Sequence, residues 1–137
     1  YGEDWEMWAR IAKDYETAYI PEFLAEYREH QNSITWSSYQ TGQNVKDIAK
    51  VTSAIISYLP KKDQAKMLKK ARKNYTYWIL NETLGAWYSH KNNTIAYNQI
   101  KAILGTYIDR HVVSRIVVLL LHIWTDPYRS LLKKHLY

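Results

Sequence analysis

The sequence predicts a mainly α protein: an antiparallel helical bundle with a small two-strand β remnant near its N-terminus. Three observations predict this class. Apolar residues recur at helical spacing in successive stretches from Val45 to Leu136. Breakers at Pro60, Asn92-Asn93 and Asp126-Pro127 divide those stretches into helix pairs. The extended-looking text is confined to Thr17–Ile20 and Phe23–Arg28, on either side of Pro21-Glu22, which bars a helix from running through.

Taken in order, Glu3-Asp4 stands at the mouth of a first helix. Its Trp5, Trp8, Ile11 and Ala12 share one apolar face. Asp4 falls in or before the first turn, where exposed amides and the positive end of the helix dipole favour an ionised carboxylate. Read from the residues alone, it is a helix cap. Ser33 or Thr35 can start a short helical turn, and Gly42 breaks or bends the chain after it. Asn44 then suits the cap of a helix carrying Val45, Ile48, Ala49, Thr52, Ile55, Ile56 and Leu59, which Pro60 ends.

The next helix, about Lys62 to Ser89, is long. Ala65, Leu68, Ala71, Arg72, Tyr75, Trp78, Ile79 and Glu82 follow its period, with lysines opposite. After Asn92-Asn93, the segment Thr94–Ile108 turns Ile95, Ile100, Ile103, Leu104, Tyr107 and Ile108 inward. Asp109 opens a buried helix from about Val112 to Trp124, expected to stop at Asp126-Pro127. A last amphipathic piece, Pro127–Tyr137, sets Leu131, Leu132 and Leu136 beside Lys133 and Lys134.

A length of 137 residues suits one compact domain, or a domain end with an appended module. The 47% apolar content is enough to bury a core, which argues against disorder despite a mean hydropathy of −0.49. The chain has no cysteine, which rules out disulfides and thiolate metal sites and fits a reducing interior. Its longest apolar run, Ile116–Leu121, falls far short of the roughly twenty residues a spanning helix needs.

The net charge of +6 comes mostly from Lys61, Lys62, Lys66, Lys69, Lys70, Arg72 and Lys73. A solvated helix face is the plain reading of that cluster, and contact with an anionic membrane surface the functional one. No nucleic-acid motif accompanies the charge, so nucleic acid is not an expected partner. His90, His111, His122 and His135 show no paired spacing for zinc, and the many Tyr and Trp residues suit core packing first and a sugar-binding surface second.

One stretch carries a chemical signature. It reads YGEDWEMWARIAKDYETAYIPEFLAEYREHQNSIT, and Gly2-Glu3-Asp4-Trp5, Trp8, Arg10-Ile11-Ala12, Ile20-Pro21, Tyr27-Arg28, His30 and Ser33-Ile34 stand in fixed order and spacing. This closely resembles the C-terminal end of the catalytic domain in bacterial family 2 glycosyltransferases of GT-A type, over about the first quarter of the chain. The resemblance implies two regions: residues 1–35 as the end of a catalytic domain and residues 36–137 as a helical extension.

The resemblance also implies roles. Asp4, with Glu3, corresponds to the catalytic acid group, Asp4 taking the acceptor hydroxyl's proton in an inverting transfer from a nucleotide-sugar. His30, Arg28 and Trp5 correspond to substrate or diphosphate contacts, and His30 to a metal ligand or a donor to the departing diphosphate. Arg10 is assigned a structural role, fixing its helix against neighbouring acids. The full-length enzyme would use manganese or magnesium, a nucleotide-sugar donor and a glycan or lipid-linked acceptor in cell-envelope polysaccharide synthesis. It would work in the cytoplasm, at the inner face of the membrane where the Lys61–Lys73 helix touches lipid.

No Asp-x-Asp metal motif and no Gly-rich phosphate loop occurs in the sequence, and no nucleotide-binding half precedes Tyr1. The chain is therefore expected to be a fragment, inactive alone, with no metal bound, and able to self-associate through uncovered Trp5, Trp8, Ile20 and Phe23. The rival reading is a helical interaction module that docks on a membrane surface or a protein partner.

Overall fold

The structure, a computed structural model, describes residues 2–28, 30 and 32–134, with the backbone alone from 126 onward. Its helices are α1 (Glu3–Asp14), α2 (Ile34–Thr41), α3 (Gln43–Ile56), α4 (Lys61–His90), α5 (Asn93–Leu104) and α6 (Arg110–Lys134). Helices α3, α4 and α5 pack on one another, α2 lies against α3 and α5, α6 lies along α4, and α1 rests on α3.

The core forms where apolar periodicities meet. Val45 and Ile48 of α3, Ile79, Leu80 and Trp87 of α4, Ala96, Ile100 and Ile103 of α5, and Val112, Ile116 and Leu119 of α6 make one buried cluster. Most neighbours within each set are spaced three or four residues apart, so burial along one stripe holds each helix in place.

Local signals start and stop these helices. Ser33 caps α2, its hydroxyl accepting from the Trp36 amide at 3.1 Å, and Asn92 caps α5 through the Ile95 amide at 3.1 Å. Gly42, with φ 74°, separates α2 from α3, so it breaks the chain rather than bending it. Lys91 closes α4 in the left-handed region with φ 51°.

Asp109 opens α6 as expected: its Oδ1 accepts from the amides of His111 and Val112 at 2.9 and 2.8 Å, and its Oδ2 from the hydroxyls of Tyr107 and Tyr77 at 3.0 and 3.2 Å. The Val112 amide above all, helped by the two hydroxyls and the His111 amide, holds this carboxyl below its ordinary value of 3.8 against a desolvation effect that raises it. A lowered folded pKa means that the unfolded chain takes up the proton first. The stabilisation is therefore complete above the unfolded value and is lost as pH falls through the folded one. Asp109→Asn should be less stable than wild type at neutral pH, and denaturant midpoints measured down an acid series should converge. A gap that stays constant into acid would show that the carboxylate charge contributes nothing.

Several expectations need correction, among them that Leu104 and Ile108 turn inward and that α6 is a buried helix: both residues are exposed, as are Val113, Val117, Leu120, Leu121 and Trp124 of α6. The two-strand remnant is absent among the described residues: 16–28 form no strand, and every residue from 10 to 28 is exposed. A lone pair of strands is marginal in water without a packed face, and Pro21 removes a donor from the ladder. Helix α6 does not stop at Asp126-Pro127 but continues to Lys134. Proline removes one donor, and the turns on either side remain helical. Side chains of the expected Pro127–Tyr137 amphipathic piece lie outside the described residues.

Asn44 does not cap α3, because Gly42 takes the cap position and Asn44 turns inward instead. Helix α4, last, buries Tyr75, Thr76, Ile79, Leu80, Thr83 and Trp87, leaving Trp78 and Glu82 exposed. Its buried stripe is rotated from the expected one, since α3, α5 and α6 approach α4 from different sides and decide which residues they cover.

Candidate functional site

Asp4 and Glu3 occupy the first two positions of α1, after Gly2 in the left-handed region with φ 87°. The Asp4 Oδ1 accepts from the Trp5 amide at 3.0 Å, as an acid in a first turn should. The carboxylate is exposed, so it can meet a hydroxyl from solution or from another molecule. Arg10 donates to Glu6 Oε1 at 3.0 Å, one turn apart, which agrees with the structural role assigned to it. Glu6 also accepts from the Tyr58 hydroxyl, and that contact first, then Arg10, holds its carboxyl below its usual range. The Tyr58 bond ties α1 to the turn that follows α3.

The sequence-predicted residues do not converge on one place. Glu3 lines a shallow hollow with Glu6, Asp47 and Lys50. His30 lines another, of about 440 Å³, and Asp4 is not among its walls. Arg28 is exposed on the extended segment, and Trp5 is exposed on α1.

The larger hollow is enclosed by three parts of the chain. Tyr27, His30 and Ser33 come from the segment leading into α2, Trp36 and Tyr39 from α2, and Trp78, Glu82 and His90 from α4. The Trp36 and Tyr39 rings stack with centroids 5.8 Å apart and planes 24° from parallel, and His90 meets Trp36 edge-on at 5.7 Å. Tyr27 and Thr35 hydroxyls lie 3.3 Å apart, tying the extended segment to α2. The buried Tyr39 hydroxyl makes no hydrogen bond of ordinary geometry; desolvation raises its pKa, partly offset by the nearby Thr83 hydroxyl.

No family model, no curated protein and no solved structure matches this chain. Its chemistry therefore rests on its own residues.

A divalent ion would need several convergent oxygen or imidazole donors. Among the described residues, no group of three or more His, Cys, Asp or Glu side chains is placed to hold one. Among the described residues His30 belongs to no such group, and no step is assigned to a metal on this chain. Among the described residues, likewise, no helix is long and apolar enough to cross a membrane.

Sequence reasoning did not single out Trp36, Tyr39, Trp78, Glu82 or His90 as site residues. Two local signals point to them: Trp36 and Tyr39 are three apart, and Trp78 and Glu82 four apart, so each pair shares a helix face. That the two faces meet across one hollow depends on how α2 docks beside α4.

Proposed function

We propose that the chain is the C-terminal part of an inverting, nucleotide-sugar-dependent glycosyltransferase of the family 2 kind. The observation that carries the proposal is the ordered match from Gly2-Glu3-Asp4-Trp5 to Ser33-Ile34, on a segment that buries almost nothing within this chain. Helix α1 has no buried residue, and Trp8, Tyr19, Ile20, Phe23 and Leu24 are exposed around it. Apolar surface of that extent is normally covered. In this reading the upstream, nucleotide-binding half of the catalytic domain covers it.

The chemistry would run through Asp4. Its carboxylate takes the proton of an acceptor hydroxyl while that oxygen bonds to the anomeric carbon, and the bond to the diphosphate breaks from the opposite face. The electron pair leaves with the diphosphate, beside which His30 and Arg28 supply donors. In an enzyme that includes the upstream half, Asp4→Asn should lower the transfer rate roughly 10²–10⁴-fold with an unchanged melting temperature. Turnover retained by that variant would remove Asp4 as the base. This chain incubated alone with nucleotide-sugars and manganese is expected to transfer nothing.

A second reading, a helical module that docks on a membrane surface or a protein, draws support from α6. While Val112, Ile116 and Leu119 are buried, Val113, Val117, Leu120, Leu121 and Trp124 are exposed, so the helix is apolar on both sides. The exposed lysines of α4, Lys61 to Lys73, supply the positive charge that anionic lipid attracts. Sedimentation with anionic vesicles, abolished by Val117→Asp with Leu121→Asp, is the expected result for the lipid form; no sedimentation would exclude it.

A further inference from the structure

The hollow beside His30 has a wall chemistry that the transfer step does not use. A pyranose ring presents an apolar C–H face and a rim of hydroxyls, each both donor and acceptor. A site for it needs a flat aromatic surface together with groups that can accept as well as donate. Both are present here. Trp78 is 44% exposed although it sits on the hollow, which leaves indole surface open to a ligand. One turn on, Glu82 offers carboxylate oxygens that take part in no hydrogen bond among the described residues. The imidazoles of His30 and His90 add ring nitrogens that accept or donate according to tautomer.

Several other polar groups of the wall are already engaged. Ser33 caps α2, and Asn44 is paired with Gln99. The described groups left to bond a ligand include Glu82, the two imidazoles and the Tyr39 hydroxyl, next to the aromatic rings.

Charge narrows the ligand class. Among the described residues the wall of the hollow holds one carboxylate and neither lysine nor arginine, so no described guanidinium or ammonium stands there to pair with a phosphate or diphosphate. Its volume of about 440 Å³ lies within the usual range for small-molecule sites and is larger than a bare ammonium group fills. We infer that this hollow is a subsite for an uncharged sugar ring of a glycan, stacked on Trp78 and hydrogen-bonded through Glu82. Its role as the acceptor subsite rests on the transferase reading; the sugar binding itself belongs to this chain.

The test is a titration of the 137-residue chain with neutral di- and trisaccharides of glucose, galactose and N-acetylglucosamine, read by tryptophan fluorescence and amide chemical shifts. Choline and uridine diphosphate serve as the cationic and anionic comparisons. Saturable binding of a saccharide, weakened about tenfold or more by Trp78→Ala and several-fold by Glu82→Gln, is the expected result. Both positions are exposed, so both variants should keep the wild-type helical signal and melting temperature.

Failure of every saccharide to bind, binding indifferent to Trp78→Ala, or tighter binding of choline or uridine diphosphate would each overturn the inference. The two proposals fail separately. Saccharide binding by this chain, together with no transfer by the enzyme that includes the upstream half, sinks the transferase and keeps the hollow. Transfer abolished by Asp4→Asn with no saccharide bound sinks the hollow and keeps the transferase.

Discussion

Gly42→Ala should destabilise the protein by about 2–5 kcal/mol, from two additive causes. Gly42 has φ 74°, where a Cβ is crowded by its own backbone, at roughly 1–2 kcal/mol for an ordinary residue. The added carbon would also lie 2.6 Å from the Asn98 carbonyl oxygen and 3.1 Å from Ala102 Cβ. That carbonyl belongs to α5 and cannot swing aside as a side-chain tip could, so α2 and α3 must draw back from α5, at about 1–3 kcal/mol. A melting temperature lower by roughly 10 °C or more is the expected reading. Gly85→Ala is the matched control. Gly85 lies within α4 with open space where its Cβ would stand, so that change should stabilise by about 0.5–1 kcal/mol. Equal melting of Gly42→Ala and wild type would refute the close approach of α2–α3 to α5.

Gln99→Leu should cost about 2–4 kcal/mol, although it exchanges a polar side chain for an apolar one of similar size inside the core. Gln99 is 0% exposed and Asn44 only 4%. The Gln99 Nε2 donates to Asn44 Oδ1 at 2.8 Å and also to the Tyr39 carbonyl, while Asn44 Nδ2 donates back to Gln99 Oε1 at 3.4 Å. Leucine would strand the Asn44 amide away from water. The Tyr39 carbonyl is less affected, because the Gly42 amide also donates to it at 3.2 Å. The informative variant is therefore the double one. Asn44→Leu with Gln99→Leu removes both halves of the pair and should be clearly less destabilised than the two single costs added together, by about 1 kcal/mol or more. Urea denaturation of the four proteins measures this, and strict additivity would mean that the two amides are not coupled.

These positions mark the border of what was legible in the chain. The helices could be read because their causes are local. Ser33 and Asp109 begin helices by accepting nearby backbone amides, and Val112, Ile116 and Leu119 fall on one side of α6 by spacing alone. The Arg10–Glu6 pair, one turn apart, was also within reach of local reasoning. The extended segment misled for the complementary reason: Thr17–Ile20 and Phe23–Arg28 have the residues of strands, but a strand also needs a neighbour's backbone groups, which no local pattern supplies.

The sequence by itself thus determined the helical class, most helix starts, the basic face of α4 and the ordered motif from Gly2 to Ile34. Tertiary packing alone decided that α4 buries Thr76, Leu80 and Thr83 while exposing Trp78 and Glu82, that Asn44 meets Gln99 across 55 positions, and that His30 shares a hollow with His90. The physical reason is the range of the forces involved. Caps and i to i+4 pairs act within one turn, so residue order specifies them. Which face of a helix loses its water depends on what other helices bring against it.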